Sequence, residues 1–332
     1  MEEKDYISTK KTVIQKLGSK LSATDDDLLR KIHFRRAKQT LHVCFASYLH
    51  QTFLKTKDIR FFNEFLWLSE NKEHNTMAML DFKSQLDENG FYTFCYEDDL
   101  KASLKAEGEI KKVVKADFEN NTLCLIGSPF HFVFAYKKLS SLGVRADVVN
   151  VRYNSSKLQN LILNNKITSF LYRLIFGKEN YFEIDIRNKK ELKAIKLPKK
   201  YDIGFHKLGF IIAQNLIDHF RKGLINDHWG ALPLFKGRST LEYSKLFGAN
   251  LVVTNHLIKA EIDAGDILCF TPLNPKRLRR DIYIGLTDRI VRAMALLASD
   301  TILAVDNTKG KMFYEMHPCL LDYVKSTSVK SP

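Results

Sequence analysis

The fold is decided by residues Asn121–Val151, which read NTLCLIGSPFHFVFAYKKLSSLGVRADVVNV. A short apolar run at Leu123–Ile126 has the length and composition of a buried strand, and a turn follows at Gly127–Pro129. Helical spacing of apolar residues then continues to Gly143, and a second apolar run occupies Ala146–Val151. A strand, a helix and a strand in this order predict the opening βαβ unit of a parallel sheet.

The turn after the first predicted strand is typical of a ligand-binding edge. Gly127 allows the backbone to approach a bound molecule closely, and Pro129 suits the first turn of a helix. The glycines do not have G-x-G-x-x-G spacing, so the sequence lacks the fingerprint of a dinucleotide-binding fold.

Further elements of the same kind follow along the chain. We predict core strands at Asp202–Phe205, at Leu224–His228 and in the stretch ANLVVTNHLI that begins at Ala249. A helix is predicted at Gln214–Arg221, with Gly223 closing it. The alternation predicts an α/β fold with a mostly parallel sheet from about residue 120 onward.

Residues 1–118 differ from the rest because they carry long charged stretches and few glycines. Their apolar spacing is mostly helical, although the stretch TLHVCFASYL from Thr40 also fits the alternation of a strand. We predict three consecutive ranges: a mainly helical N-terminal segment of unknown role at 1–118, a catalytic core at 119–305 and a C-terminal tail at 306–332.

The composition is that of a globular protein, with 332 residues, 45% hydrophobic and 27% charged. No apolar run approaches the roughly 20 residues of a membrane span, and the start MEEKDYISTKK lacks the apolar centre of a signal peptide. We expect a cytoplasmic protein with no membrane partner. The cysteines stand singly, without the spacing of a metal site or a disulfide framework: Cys44, Cys95, Cys124, Cys269 and Cys319.

The formal net charge of +14 favours acidic partners. The lysines are nevertheless spread along the whole chain, and the densest basic cluster, KRLRR at Lys276–Arg280, contains no interleaved aromatic residues that would stack on bases. We therefore expect a solvated, lysine-rich surface rather than a binding site for nucleic acid. A homodimer is left open.

Polar residues gather in the stretch LINDHWGALPLFKGRS at Leu224–Ser239. If its first residues are extended, Asn226 and His228 share one face of the strand and Asp227 lies on the other. The loop after His228 is bent by glycine and proline, and its apolar section ALPLF would wall off a planar ligand.

A carboxylate is expected at the same edge of the sheet. Asp263 lies in KAEIDAGDIL, directly after a predicted strand end, and ligands of open α/β folds bind at that rim. An amide, an imidazole and a carboxylate fit acyl transfer to an amine, because they stabilise a developing oxyanion and move protons. No Ser or Cys nucleophile is needed if the amine itself attacks.

From Tyr201 to Leu268 the chain resembles the catalytic core of the formyltransferases that use 10-formyltetrahydrofolate. That family includes the glycinamide ribonucleotide, methionyl-tRNA and sugar N-formyltransferases. Its motifs Asn-x-His, Leu-Pro-x-x-Arg/Lys-Gly and Asp-x-Gly-x-Ile appear here in order, at Asn226–His228, Leu232–Gly237 and Asp263–Ile267. The stretch GKMFYEMHP near the end is similar to a tail of some sugar-type members. The resemblance implies a Rossmann-like core.

The resemblance also implies roles for particular residues. Asn226 and His228 would act on the formyl oxygen and in proton transfer, and Asp263 on an ordered water and the imidazole. Residues implied to bind the folate co-substrate are Gly209, Phe210, Ile211, Ile212, Leu232 and Pro233. Residues implied to contact the acceptor are Gly127, Ser128 and His256.

The expected function is formyl transfer from 10-formyltetrahydrofolate to a primary amine of a small acidic molecule, with a nucleotide-linked amino sugar as the first candidate. The sequence departs from the family after the histidine, where Trp229 and Gly230 replace Pro-Ser or Gly-Ser, and Asp227 is unusual beside it. Two alternatives stay open. One is a hydrolase of the same donor, and the other is a non-catalytic binding module on the same fold.

Overall fold

The structure is a computed structural model. It describes residues 3–18, 24–36, 43–69, 75, 77–80, 82, 113–153, 166–186, 190–307 and 310–326. The chain divides into two compact units, and neither is continuous in sequence. The first comprises Met1–Cys95, Gly237–Gly248 and Met312–Pro332, and the second comprises Tyr96–Lys236 and Ala249–Lys311. The three consecutive ranges expected from the sequence stay a prediction about domains.

Helices and strands alternate through most of the second unit, as the βαβ pattern predicts. In chain order the elements are α1 (Glu3–Leu17), α2 (Asp25–Arg36), α3 (Val43–Thr56), α4 (Ile59–Leu68), β1 (Leu123–Gly127), α5 (Val133–Ser141), β2 (Ala146–Tyr153), α6 (Lys166–Phe176), β3 (Tyr181–Ile186), β4 (Tyr201–Lys207), α7 (Gln214–Ile217), β5 (Phe220–His228), β6 (Phe235–Gly237), α8 (Thr240–Leu246), β7 (Val252–Leu257), β8 (Ile267–Pro272), α9 (Leu278–Ile284), α10 (Leu286–Ala298), β9 (Lys311–Phe313) and α11 (Pro318–Ser326). Short 3-10 helices lie at Lys115–Phe118, Pro129–Phe132, Glu191–Ala194 and Pro275–Arg277.

Seven strands of the second unit form one sheet in the order β3-β2-β1-β4-β5-β7-β8. The pairs from β3 to β5 are all parallel, whereas β7 runs antiparallel to both β5 and β8. The predicted α/β class with a mostly parallel, Rossmann-like sheet is confirmed. A separate two-stranded sheet contains β6 and β9.

The order of the strands reverses between β1 and β4. The chain adds β2 and β3 on one side of β1, then returns to add β4, β5, β7 and β8 on the other. Ligands of open α/β sheets bind at such a reversal, outside the carboxyl ends of the strands. Gly127 and Lys207 pair at these ends. A Cβ atom on Gly127 would meet the carbonyl oxygen of Lys207 at 2.6 Å, so this position requires glycine.

Apolar side chains cover both faces of the sheet. On one face Phe205 and Ile225 belong to a buried cluster that includes Leu139 of α5 and Met294 of α10. On the other face Ile126 and Leu224 belong to a second cluster with Leu216 of α7. Because residues alternate between faces along a strand, the same pattern fixes which polar residues at the strand ends share a side.

One sequence prediction for this region is wrong. The helix expected at Gln214–Arg221 ends at Ile217, because the backbone has become strand β5 by Phe220. Gly223 does not close a helix but lies inside β5 with φ +147°, where a Cβ atom would meet the side chain of Leu257 at 2.9 Å.

Helices dominate the first unit, which confirms the mainly helical N-terminal segment for the described residues. The stretch from Thr40 that fitted either periodicity contains the start of α3 at Val43. Asp58 begins α4 in an extended conformation, and its carboxylate accepts a hydrogen bond from the backbone N–H of Arg60. This unit also contains α8 and α11.

The structure also bears on the expectations about membrane spans and cysteines. Within the described part of the chain, every helix is too short or too polar to cross a membrane. Cys124 and Cys269 are buried free thiols and Cys319 is a half-buried one. The side chains of Cys44 and Cys95 lie outside the described residues.

Candidate active site

Two of the three residues expected to act together lie at the carboxyl end of β5. Strand β7 runs antiparallel beside it, with Asn226 opposite His256 and His228 opposite Thr254. Paired residues share a face of the sheet, so Asn226, His228 and His256 lie on one side and Asp227 on the other, as the alternation predicts.

The imidazole of His256 has a defined proton position. Its Nδ1 lies 2.8 Å from the carbonyl oxygen of Leu257, which only accepts, so Nδ1 carries the proton. Its Nε2 therefore presents a lone pair, to which the side-chain amide of Asn226 donates at 3.1 Å. This bond fixes the direction of the Asn226 amide. His256 is buried among the residues of the trio, and its expected contact with the acceptor stays a prediction.

His228 is held in a similar way. Its Nε2 donates to the carbonyl oxygen of Phe235 at 2.7 Å, which leaves a lone pair on Nδ1 of the neutral ring. That nitrogen lies 3.5 Å from Oδ2 of Asp263. Burial lowers the pKa of His228, and the carboxylate of Asp263 opposes this effect only in part. The ring is consequently neutral at physiological pH.

Asp263 lies between the two imidazoles. Its Oδ2 faces His228 and its Oδ1 lies 3.5 Å from Nε2 of His256, and its side chain is only 11% exposed. The structure thus brings all three predicted catalytic residues together, and it adds His256. Among the described residues, no group of three or more His, Cys, Asp or Glu side chains is arranged to hold a metal ion.

The turn that carries Asp263 is held in place by close contact with β7 and by hydrogen bonds from Asn307. Asp263 has φ +52°, and a Cβ atom on Gly265 would meet the carbonyl oxygen of Leu257 at 1.7 Å, so the chain turns in close contact with β7. The buried amide of Asn307 donates to the carbonyl oxygens of Asp263 and Gly265, at 3.0 and 2.6 Å. The carbonyl of Asn307 in turn accepts from the buried ammonium of Lys236 at 2.7 Å.

The distribution of protons determines what this cluster can do. Nδ1 of His228 and Nε2 of His256, the ring nitrogens that face Asp263, both carry lone pairs, so two basic nitrogens lie beside the carboxylate. A proton released by a reacting amine has a favourable place on Nδ1 of His228, because this nitrogen would become a cation next to a carboxylate. The arrangement is that of a general base.

The opposite face of β5 is built differently. Asp227 is buried, and its carboxylate accepts from Lys207 at 2.8 Å, from Arg289 at 2.8 and 3.2 Å, and from Asn255 at 3.1 Å. The indole N–H of Trp229 adds a longer bond of 3.4 Å. Burial alone would raise the pKa of Asp227, but the two cations outweigh it and hold the pKa well below its usual range.

The segments implied to bind ligands are nearby in the fold. Residues 209–212 form the loop directly after β4, in which Ile211 is 78% exposed and a Cβ atom on Gly209 would meet open space. Leu232 is fully buried and Pro233 is half-buried. Gly127 ends β1, and the half-exposed Ser128 begins the 3-10 helix that follows. Their roles in binding stay predictions.

Sequence reasoning missed several residues that build this region. Asn307 and Arg289 lie far along the chain from the residues they hold. His206 and Lys207 lie just beyond the strand predicted at Asp202–Phe205, and the structure places them in β4. One signal for these cations was present in the sequence, namely Asp227. It lies on the face of the strand opposite Asn226 and His228, and an acidic side chain that is buried there needs cationic partners. Lys236 of β6 is also buried, and burial lowers its pKa.

No protein-family model matches the chain, and no curated protein matches it in sequence. Solved structures that resemble it include a sugar N-formyltransferase from a Shewanella species, with 16% identity over 58% of this chain and 76% of that one, at a TM-score of 0.41. A 4-N formyltransferase from Francisella tularensis has 18% identity over the same shares, at a TM-score of 0.39. An N-formyltransferase from Helicobacter canadensis, in complex with folinic acid and dTDP-3-aminofucose, has 17% identity over 59% of this chain and 71% of that one, at a TM-score of 0.37. Likeness this distant carries no argument about activity, which rests on the site.

Proposed function

We propose that the protein is an N-formyltransferase that moves a formyl group from 10-formyltetrahydrofolate to a primary amine of a small acidic acceptor. One observation carries the proposal. The carboxylate of Asp263 lies 3.5 Å from two ring nitrogens, of His228 and His256, that both carry lone pairs. Transfer of an acyl group to an amine requires removal of a proton from the attacking nitrogen, and this cluster accepts one.

The reaction then proceeds by addition and elimination. The amine nitrogen attacks the formyl carbon, a C–N bond forms, and the carbonyl electrons move to the formyl oxygen. A proton passes from the amine to the pair formed by His228 Nδ1 and Asp263. The oxyanion collapses, the bond between the formyl carbon and N10 breaks, and the same proton is delivered to N10. The products are a formamide and tetrahydrofolate, so atoms and charges balance.

Asn226 is the residue suited to the oxyanion. One hydrogen of its amide is used by Nε2 of His256, and the second is available for a ligand. Because this partner sets the direction of the amide, the donor is preorganised, and such donors stabilise developing negative charge. Neutral His228 does not supply a donor to the oxyanion, since its N–H is bound to Phe235. Its contribution is proton transfer.

The acceptor is proposed as a nucleotide-linked amino sugar. The formal charge of +14 favours an acidic molecule, and Gly127 and Ser128 lie at the strand reversal where a ligand of this fold is expected. A phosphate-bearing amine meets both conditions. Other acidic amines remain outcomes of the same experiment.

The test is incubation of the protein with 10-formyltetrahydrofolate and a panel of amino-sugar nucleotides and amino acids, with mass spectrometry of the products. We expect one acceptor to gain the mass of a CO unit while tetrahydrofolate is released. Asp263→Asn should lower kcat by about 10²–10⁴-fold, the usual contribution of general acid–base catalysis. Asp266→Asn is the matched control, because Asp266 lies in the same turn but forms an exposed ion pair with Lys259.

Two results would contradict the proposal and identify the alternatives. Release of tetrahydrofolate at the same rate with and without any amine would show a hydrolase, in which water takes the place of the acceptor. Binding of the folate without any turnover would show a binding module.

A further inference from the structure

A fourth histidine lies on the same face of the sheet as the trio. His206 is in β4, one residue after Phe205, which pairs with Ile225 of β5. Because Asn226 likewise follows Ile225 by one residue, His206 and Asn226 point to the same side of the two neighbouring strands. His206 is 5% exposed.

The proton of this imidazole can be placed. The backbone N–H of Leu208 donates to Nδ1 of His206 at 3.2 Å, so that nitrogen carries the lone pair and Nε2 carries the hydrogen. Burial lowers the pKa of His206 to about 3, with smaller contributions from Lys207 and His256, whereas the charges of Asp227 and Asp263 act in the opposite direction. His206 is therefore a neutral hydrogen-bond donor, and the charged residues of the candidate site are near enough to affect its pKa.

This donor has no acceptor among the described residues. Nε2 of His206 is buried, and no hydrogen-bond partner lies within reach of it there. Buried polar groups in native proteins are nearly always hydrogen-bonded, and each exception requires an explanation such as a functional partner or an ordered water. The ring N–H groups of the other two histidines of this face, His228 and His256, both have carbonyl acceptors.

The position of His206 indicates what its partner is. Its Nδ1 holds the N–H of Leu208, which is the residue directly before the loop Gly209–Ile212 that is expected to bind the pterin of the formyl donor. In that loop Ile211 is 78% exposed, so the segment after His206 presents apolar surface that a flat ring could cover. A pterin presents a carbonyl oxygen and ring nitrogens at its edge, and these are acceptors.

We propose that His206 is a binding residue for the pterin ring of the formyl donor, in which Nε2–H donates a hydrogen bond to an acceptor atom on the edge of that ring. The proposal rests on the function proposed above. It assigns two tasks to one side chain, because Nδ1 positions the loop and Nε2 contacts the ligand. Formation of this bond places the formyl group relative to Asn226 and Asp263.

Two substitutions separate the two tasks. His206→Asn keeps an acceptor near the position of Nδ1, for Leu208, but removes the donor at Nε2. His206→Gln keeps an N–H near the position of Nε2 but removes the acceptor for Leu208. The full-length wild type and both variants are titrated with folinic acid in a calorimeter, and thermal unfolding of each is followed without ligand.

The proposal expects His206→Asn to bind folinic acid about 5-fold to 10-fold more weakly, the size of one lost neutral hydrogen bond. Its melting temperature should not fall, because the substitution removes an unpartnered donor. His206→Gln should restore the affinity to within about 3-fold of wild type, by the same reasoning.

Several outcomes would overturn it. Equal affinity of His206→Asn and wild type would show that Nε2 meets only water. Weaker binding in His206→Gln, with wild-type affinity in His206→Asn, would show that the side chain acts only through Leu208. If His206→Asn does not fold, a large loss of affinity in a folded His206→Gln would likewise show that the side chain acts through Leu208. Failure of wild type itself to bind folinic acid would contradict the proposed function, which is a distinguishable result.

Discussion

The two sides of strand β5 differ in how their polar groups are satisfied. On one side the carboxylate of Asp227 is surrounded by donors from Lys207, Arg289 and Asn255, all within 3.2 Å. On the other side the carboxylate of Asp263 lies 3.5 Å from two nitrogens that offer it lone pairs rather than protons. The buried carboxylate of Asp227 and the half-buried carboxylate of Asp263 therefore have different neighbours.

This difference suggests a structural role for Asp227 and a chemical role for Asp263. A carboxylate that is paired with cations and hydrogen-bonded on every side holds elements together, and its proton affinity is too low for proton transfer. A carboxylate that lies beside neutral imidazoles can take part in proton transfer with them, and titratable groups in such surroundings are typical of active sites. The comparison predicts that substitutions on the Asp227 side affect stability first, and that those on the Asp263 side affect turnover first.

The largest expected effect on stability is that of Asp227→Asn. The substitution leaves Lys207 and Arg289 without their buried counter-charge, and breaking a buried ion pair costs about 3–5 kcal/mol. Denaturant-induced unfolding monitored by circular dichroism measures the loss. The matched control is Asp300→Asn, whose ion pair with Lys222 is 76% exposed at the carboxylate, so its loss should stay below about 1 kcal/mol.

A small loss in Asp227→Asn, no greater than in the control, would contradict the assignment of the Asp227 side to structure. A variant that kept its stability but lost turnover would reverse the comparison, since Asp227 would then belong to the chemistry.

Much of the fold could be predicted from sequence because its signals are local. The apolar runs of β1 and β2, the helix between them and the turn at Gly127 follow from periodicity alone, and the structure confirms them. The alternation at Asn226 to His228 likewise gave the correct faces. Asp263 was expected at the same sheet edge from the strand end before it, and the motif resemblance gave it a role beside Asn226 and His228.

Two kinds of feature could not be predicted from sequence. One is contacts between residues far apart along the chain, and the other is very short helices. Asn307 is 44 residues from Asp263, and Arg289 is 62 residues from Asp227, so nothing in the sequence links these partners. The helix at Gln214 is a single turn, which periodicity cannot distinguish from the start of β5. The contact between His256 and Asn226 depends on the antiparallel register of β5 and β7, which the sequence alone does not give.

The second prediction concerns the Asp263 side. Asn307→Ala removes both hydrogen bonds to the carbonyls of Asp263 and Gly265 and leaves these buried groups unsatisfied, at a cost of about 1–3 kcal/mol. Because the turn that carries the carboxylate is released, kcat should fall by about tenfold or more, as expected for small misplacement of a catalytic group. Formyl transfer and unfolding are measured on the same preparation.

Asn121→Ala is the control for that experiment, since it removes a bond from an amide to the carbonyl of Glu119 on the surface. A loss of stability in Asn307→Ala without any change of kcat would show that the turn keeps its position by other contacts.

The third prediction uses pH to distinguish the two sides. Burial lowers the pKa of both His206 and His228, so below the ordinary value of about 6.5 the unfolded chain binds more protons than the folded one. Stability is therefore full above that pH and decreases as the pH falls toward about 4. Asp227, whose pKa is lowered, has the opposite kind of linkage, and its contribution is lost only at still lower pH.

The measurement is the free energy of unfolding between pH 4.5 and 7.5. In His206→Gln the slope below pH 6 should be shallower by about one proton, or roughly 1.4 kcal/mol per pH unit. His131→Gln, at a half-buried position where burial also lowers the pKa, should change the slope less. An unchanged slope in His206→Gln would show that this imidazole is not buried in the neutral form.

The smallest effect is expected at Thr254, which supports the loop after His228. Its hydroxyl donates to the carbonyl of Gly230 at 2.6 Å and accepts from the N–H of Leu232 at 3.3 Å, in a fully buried position. Thr254→Val keeps the shape but removes both bonds, so stability should fall by about 1 kcal/mol. Thr301→Val, at an exposed position, should stay within about 0.5 kcal/mol of wild type. Because Thr254 contacts neither ring nitrogen that faces Asp263, kcat should change far less than in Asn307→Ala. A larger loss of kcat than in Asn307→Ala would show that the proton-accepting geometry depends on the loop after His228 rather than on the turn at Asp263.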